Sequence, residues 1–318
     1  MTLWRKCALK NNDVIAVMGS RGMVGSAVVR LLETHGYEQV LTPSRYELDL
    51  RDTKEVQEWF DKNQPKYVFM CAAHVGGIMA NQAQPVEFLL KNLTIQNNVI
   101  DSSYNSGAEK LLFLGSSCIY PKFAKQPITE DQLLTGPLEP TNDSYAIAKI
   151  AGIKLCQAFR DEYDFDTISL MPTNLYGPND NYCPFSSHVI PGMIYKFNHA
   201  KLFGEEVTLF GDGTPMREFL YVDDLAEAIL TCMEKYSSRD IINIGTGQDV
   251  TIREVAEVVK DVVGYEGPIH WDTSKPNGTP RKVLNVDKIK ALGWEPRTSL
   301  REGIEEAYKD FLYLDTLF

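Results

Sequence analysis

The chain has 318 residues, a formal net charge of −11 and 44% hydrophobic residues, enough apolar material for a sizeable core in one large domain or two. That acidity argues against a nucleic-acid or anionic-membrane partner, so any anionic ligand needs a local cluster of cations. The six cysteines, at 7, 71, 118, 156, 183 and 232, form no Cys-x-x-Cys pair; free thiols in a reducing cytoplasm are expected, without a structural metal site. No apolar run reaches the roughly 20 residues of a membrane span, and the amino end lacks a signal-peptide core.

In chain order, Val14-Ile15-Ala16-Val17-Met18 reads as a buried strand that enters the turn Gly19-Ser20-Arg21-Gly22-Met23-Val24-Gly25. Val24, Val28, Leu31 and Leu32 then repeat at helical spacing up to Gly36. Strand, glycine turn and helix in this order suit a dinucleotide: glycines let backbone approach a pyrophosphate, and the helix amino terminus favours its charge. About twenty residues on, where an acidic residue would hold the ribose 2′-hydroxyl of NAD, stand Ser44 and Arg45. Arg45, with Arg21 in the turn, suits a 2′-phosphate through paired guanidinium donors, so NADP is the expected cofactor; Glu47 and Asp49 stand close by.

Strand-like runs recur at Val40-Leu41-Thr42, Tyr67-Val68-Phe69-Met70, Leu111-Leu112-Phe113-Leu114 and Thr167-Ile168-Ser169-Leu170, with helical stretches between. This alternation predicts an α/β fold with a Rossmann-type, doubly wound parallel sheet. Its ligands would lie beyond the carboxyl ends of the strands. Gly19, the pair Ala72 and Ala73, Leu114-Gly115-Ser116 and Pro172-Thr173-Asn174-Leu175 would converge there.

The run from Pro121 to Pro140 reads as an irregular loop before a helix over residues 144–163. On that helix Tyr145 and Lys149 are four apart and share a face. An ammonium beside a phenol favours the phenolate, and the couple can protonate a carbonyl oxygen while Ser116 polarises it. After residue 175 the pattern changes to loops, a short strand Val207–Phe210, and helices opened by Asp223, Thr251 and Ser299, the last two with capping boxes to Glu254 and Glu302. This half reads as a smaller C-terminal α/β substrate-binding domain. Its cations Lys196, Arg217, Lys275, Arg281 and Lys282 are candidate diphosphate ligands.

Together with the glycine turn and Tyr145-x-x-x-Lys149, the strings Gly115-Ser116-Ser117-Cys118-Ile119-Tyr120-Pro121, Pro140-Thr141-Asn142, Met171-Pro172-Thr173-Asn174-Leu175-Tyr176-Gly177-Pro178 and Gly213-Thr214-Pro215-Met216-Arg217-Glu218-Phe219 resemble the extended short-chain dehydrogenase/reductase family, which modifies nucleotide sugars. They are most similar to its branch acting on GDP-4-keto-6-deoxymannose. The resemblance implies epimerisation at carbons 3 and 5, then reduction at carbon 4 with NADPH, giving GDP-L-fucose. It assigns proton removal to Cys118 and proton return to His188, in Ser186-Ser187-His188-Val189, and gives Lys149 the nicotinamide ribose; His188 also joins the cofactor wall. Phe210 stands where the family has tryptophan, Asn277 where it has aspartate and His74 where it often has lysine. With Lys196, Arg217 and Lys282, Phe210 and Asn277 form the expected substrate set. Two alternatives stay open: a reductase or epimerase of another 4-keto nucleotide sugar, with GDP-rhamnose one product, and a non-catalytic NADP-binding regulator. Residues 1–175 are the expected cofactor domain, with a segment about 215–245 returning to it, and 176–318 are mainly the GDP-sugar domain. The family habit implies a homodimer through helices around 85–106 and 144–163.

Overall fold

A computed structural model of the protein describes residues 9–275 and 277–315; Cys7 and Pro276 lie outside the described residues. The first part of the chain alternates strand and helix: β1 (Val14–Met18), α1 (Met23–Thr34), β2 (Gln39–Leu41), α2 (Thr53–Asn63), β3 (Tyr67–Met70), α3 (Ile78–Ala83), α4 (Pro85–Asn105), β4 (Lys110–Leu114), α5 (Asp143–Tyr163) and β5 (Asp166–Pro172). It continues through β6 (Asn174–Tyr176), α6 (Val189–Phe203), β7 (Val207–Phe210), β8 (Met216–Arg217), β9 (Phe219–Tyr221), α7 (Val222–Lys235) and β10 (Ile242–Ile244). The last stretch holds β11 (Val250–Thr251), α8 (Ile252–Val263), β12 (Ile269–Asp272), β13 (Arg281–Lys282), α9 (Asp287–Ala291) and α10 (Leu300–Asp315).

Strands β3 and β4 are buried at every residue, and β1 at all but its first, the pattern of a sheet covered on both faces. They lie in a six-stranded sheet of order β10-β5-β4-β3-β1-β2 in which every pairing is parallel. Helix α1 packs with α7 in one layer, and α4 packs with α2 and α5 in the other. The doubly wound architecture therefore stands. Lys110 enters the core because the carboxyl end of α7 receives it: its Nζ donates to the carbonyls of Met233 at 2.7 Å and Tyr236 at 2.6 Å.

Three details differ from the sequence reading. The sixth strand, β10, has no counterpart there, because three apolar-polar-apolar residues carry no periodicity and its place is set by register with Leu170–Pro172. Helix α7 opens on Tyr221 rather than Asp223; the Asp223 carboxylate accepts from Arg30, while Asp224 accepts from the backbone of Arg297 and Thr298. Besides residues 220–244, a second segment, Leu284–Trp294, also packs into the sheet core. A separate apolar cluster contains Tyr176, Ile194, Phe197, Val255, Val259, Ile304 and Phe311.

Three small pairings carry the later half toward the sheet: β6 with β9, β7 with β12, and β8 between β11 and β13. The register of the last sets Lys282 directly beside Arg217, although 65 positions separate them in sequence. Among the described residues no helix is long and apolar enough to cross a membrane.

Candidate active site

One cavity of about 1440 Å³ lies beyond the carboxyl ends of β1, β3, β4 and β5, and every site residue expected from the sequence lines it. Its cofactor floor is largely backbone. Gly19 has φ +84°, and a Cβ there would sit 2.7 Å from the Ala72 backbone; a Cβ on Gly25 would come within 2.1 Å of the Gly19 carbonyl oxygen. Gly22 caps α1 with no side chain on the helix amino terminus, and the first turn holds no acidic residue. The Ser20 hydroxyl is buried without a hydrogen-bond partner among the described residues. Free helix N–H groups, an unpaired hydroxyl and room kept by glycine are what a pyrophosphate requires, so Gly19, Ser20, Arg21, Gly22, Met23, Val24 and Gly25 fit the cofactor.

The acidic residues near the 2′ position are engaged elsewhere. Glu47 accepts from the Ser44 backbone at 2.8 Å, and Asp49 binds Arg51, with Nε to Oδ1 at 2.8 Å. The Arg51 guanidinium holds the Asp49 carboxyl down at about 2. Arg51 also lines the cavity, a cation the sequence reading passes over. Arg21 and Arg45 have no hydrogen-bond or ion-pair partner among the described residues, which leaves both for a phosphate.

At the centre, β4 ends at Leu114 and turns through Gly115 into Ser116, whose Oγ accepts from the Cys118 backbone at 3.3 Å and caps the short 3-10 turn Ser117–Ile119. This turn holds the Ser116 hydroxyl and the Cys118 thiol together on the cavity wall. Burial pushes the thiol up, against the Lys282 ammonium, the Ser116 hydroxyl and the Lys149 ammonium.

Tyr145 and Lys149 share a face of α5, but their interaction differs from the sequence expectation. Lys149 Nζ donates to the Leu114 carbonyl at 2.8 Å and lies 4.9 Å from the Phe113 ring centre and 5.8 Å from that of Tyr145. Burial raises the Tyr145 phenol well above its ordinary range, with the Cys118 charge adding to the effect, and brings Lys149 down to about 8. In the ligand-free protein Tyr145 is therefore a protonated acid: burial disfavours the phenolate, and the Lys149 ammonium is bonded to a carbonyl.

His188 caps α6 and reaches the cavity from the opposite half of the chain. The loop before it is tied down: Gly77 N donates to the Ser186 carbonyl at 3.0 Å, and Asn181 Nδ2 to Ser186 Oγ at 2.8 Å. The ring is accessible through the cavity, yet the protein packed around it removes enough water to lower its pKa and favour the neutral imidazole. On the cofactor wall, Thr173 Oγ1 and Asn174 Nδ2 both donate to the Glu218 carbonyl, which joins β5 to the later half.

At the far end Arg217 and Lys282 stand side by side, and burial pushes both down from their ordinary values. Lys196 Nζ lies 5.0 Å from the Phe210 ring centre and Lys275 Nζ 6.0 Å from it, so an exposed aromatic face carries two ammonium groups. Asn277 Oδ1 accepts from the Asp212 backbone at 2.9 Å, and its side chain also hydrogen-bonds the Asp212 carboxylate, which ties it to that loop. Arg281 is committed: its guanidinium takes the Asp249 carboxylate with two hydrogen bonds, so it belongs less to a phosphate than the sequence suggests.

Sequence reasoning assigns no role to Asn142 or Glu139, which also line the cavity. Asn142 Oδ1 is buried without a hydrogen-bond partner among the described residues, at the start of the Tyr145 helix; the string Pro140-Thr141-Asn142 is its signal in the sequence. Glu139 pairs with Lys122 at 3.1 Å and accepts from Thr279 at 3.3 Å, the latter a contact across 140 positions that no local pattern reveals.

Residues 15–245 match the model of the NAD dependent epimerase/dehydratase family. The chain is 54% identical over 299 residues to GDP-L-fucose synthase 1 of Arabidopsis thaliana, covering 94% of this chain and 93% of that one. It is 47% identical over 308 residues to GDP-L-fucose synthase of Escherichia coli K12, with 94% and 96% covered. A GDP-L-fucose synthetase from Naegleria fowleri, solved with NADP bound, superimposes with TM-score 0.90 at 30% identity, covering 98% of this chain and 97% of that one. A glycine-turn cofactor floor, a Tyr-x-x-x-Lys helix and this extent of similarity establish that the chain belongs to the NAD dependent epimerase/dehydratase family.

Proposed function

We propose that the protein epimerises GDP-4-keto-6-deoxymannose at carbons 3 and 5 and then reduces the 4-keto group with NADPH, giving GDP-L-fucose. The observation that carries this reading is the single cavity in which Ser116, Cys118, Tyr145, Lys149 and His188 lie between the glycine floor and the Arg217–Lys282 pair. The substrate diphosphate sits at Arg217 and Lys282, with the nucleoside toward Phe210, Lys196 and Asn277.

This places the sugar among the central groups. The Ser116 hydroxyl and Tyr145 phenol donate to the carbon-4 oxygen, which stabilises the enolate formed when a proton leaves carbon 3 or carbon 5. At each carbon Cys118 removes the proton and His188 returns one from the other face, the thiol losing its proton to water and the imidazole regaining one from water between the two inversions. Both need the less favoured protonation state of the ligand-free site, a thiolate and an imidazolium; Lys282 and Lys149 are the charges that favour the thiolate. Bound NADPH supplies hydride to carbon 4. Tyr145 gives its proton to the new hydroxyl, and Lys149 holds the nicotinamide ribose.

Division of labour follows: residues 1–175 hold the cofactor, joined by the segment about 215–245, and 176–318 mainly hold the nucleotide sugar. The two apolar clusters support this division. Assembly as a cytoplasmic homodimer through α4 and α5 fits the exposed Val86 and Leu90 of α4 and Ile147 and Tyr163 of α5; light scattering on the purified protein measures its mass. The activity itself is tested by supplying GDP-4-keto-6-deoxymannose with NADPH and identifying the sugar by NMR. GDP-L-fucose is expected; a GDP-6-deoxyhexose with unaltered carbons 3 and 5 refutes the epimerase part, and no turnover refutes both parts.

A further inference from the structure

His74, in the loop after β3, has no part in the chemistry above. Its backbone is clamped to α4 by Asn92, whose Oδ1 accepts from His74 N at 2.8 Å and whose Nδ2 donates to His74 O at 2.9 Å. Its ring lies against Phe88, centroids 4.6 Å apart, and Phe88 stands edge-on to Tyr145 at 6.3 Å. The ring is thus fixed on the cavity wall, yet its Nε2 is buried with no hydrogen-bond partner among the described residues. A buried ring nitrogen left unpaired is costly, so such a group in a ligand cavity marks a contact that the ligand completes.

The surrounding charges identify the chemistry. Lys91 and Glu87 face His74 from α4, and Arg45 faces it from the loop after β2. Lys91 and Glu87 pair with each other, while Arg45 makes no hydrogen bond or ion pair among the described residues, its carboxylate neighbour Asp49 being held by Arg51. Burial and the two cations keep the imidazole neutral in the empty site, so a neutral ligand would gain one ordinary hydrogen bond. An anionic oxygen gains more: it balances Arg45, accepts from Nε2–H and favours protonation of the ring.

We propose that His74 is a phosphate ligand of the nicotinamide cofactor, its Nε2 donating to an anionic oxygen in company with Arg45. That oxygen belongs either to the 2′-phosphate or to the pyrophosphate, and NADP⁺ and NAD⁺ separate the two. Binding to NADP⁺ is accompanied by proton uptake on His74, so affinity rises as pH falls from about 8 to about 6 more steeply than the phosphate's own titration accounts for.

Calorimetric titration of the full-length protein with NADP⁺ and with NAD⁺, at both pH values and in buffers of differing ionisation heat, reads this directly. His74→Ala is expected to weaken NADP⁺ binding by about 10- to 100-fold, the range of one charge-assisted hydrogen bond. His74→Lys restores most of that affinity and abolishes the excess pH slope. A loss confined to NADP⁺ assigns the 2′-phosphate, and an equal loss for NAD⁺ assigns the pyrophosphate; either supports the proposal. Unchanged affinity for both cofactors in His74→Ala overturns it, as does a His74→Lys protein that binds no better than His74→Ala. Should the alanine protein not fold, His74→Asn takes its place, with the cofactor-free melting temperature as the check. Binding of NADP⁺ by the unmodified protein in the same titration tests the cofactor reading separately.

Discussion

Around the glycine turn the protein offers its ligand backbone, whereas across the cavity it offers long cationic side chains on strands only two residues long. The first surface rests on a parallel sheet whose central strands are buried and has no spare volume: a single Cβ on Gly25 meets the Gly19 carbonyl at 2.1 Å. The second rests on β8 and β13, where Arg217 and Lys282 repel each other across a strand pair while Glu139 and Glu218 offset their charge. A site made of backbone fails through shape. A site made of side chains fails through charge, and the central acid/base groups fail through loss of one proton.

The central groups give the largest effect. Replacing Tyr145 by Phe removes the acid that protonates the new hydroxyl and lowers the reduction rate by roughly 10²- to 10⁴-fold, the usual contribution of general acid catalysis. Rapid-mixing absorbance of the nicotinamide measures it. Next comes the floor: Gly25→Ala forces the turn open at a cost of about 1–3 kcal/mol of overpacking, read as a lower melting temperature together with weakened NADPH binding. Arg217→Ala should weaken GDP binding by about 10- to 100-fold and leave NADP⁺ binding unchanged, which separates the two ends in one pair of titrations. Arg45→Ala is smaller still: roughly tenfold weaker binding of NADPH, with NADH unaffected, because only the 2′-phosphate contact is removed.

A chemical comparison sharpens the same contrast. The exposed Cys183 thiol is lowered by hydrogen bonds from the Phe185 backbone and the Ser186 side chain, while burial raises that of Cys118. Since only thiolate is alkylated, Cys183 should react first at neutral pH. Cys118 labelling should climb about tenfold per pH unit until pH passes its raised pKa. Mass-spectrometric mapping of alkylated peptides across pH shows the order; equal rates for the two residues contradict it.

The cofactor end was the more legible in the sequence, and the reason is physical. Buried parallel strands must be apolar throughout, and a pyrophosphate turn must be glycine, so β1, its turn and α1 declare themselves within two dozen residues. Ser116, Cys118, Tyr145 and Lys149 are equally local, since one strand end and one helix face hold them. The direction of Lys149 was not legible: its carbonyl partner, Leu114, is 35 positions away, and the phenol is kept protonated by burial. At the substrate end the Lys282–Arg217 neighbourhood arises from register between distant short strands, and the Glu139–Thr279 contact and the capture of Arg281 by Asp249 join segments far apart in sequence. Composition showed that a basic cluster was needed, but not which cations would be free. Likewise β10 is too short to have a period of its own and exists because β5 offers an edge.

The central claim is that proton exchange beside the 4-keto group and reduction of that group happen in one cavity. Incubating the protein with GDP-4-keto-6-deoxymannose and NADPH in deuterated water, then reading the product by NMR, tests it most directly. The account predicts a fucose product with deuterium at both carbon 3 and carbon 5, formed as NADPH is consumed. NADPH consumption with no deuterium at either carbon would contradict it and remove Cys118 and His188 from the chemistry.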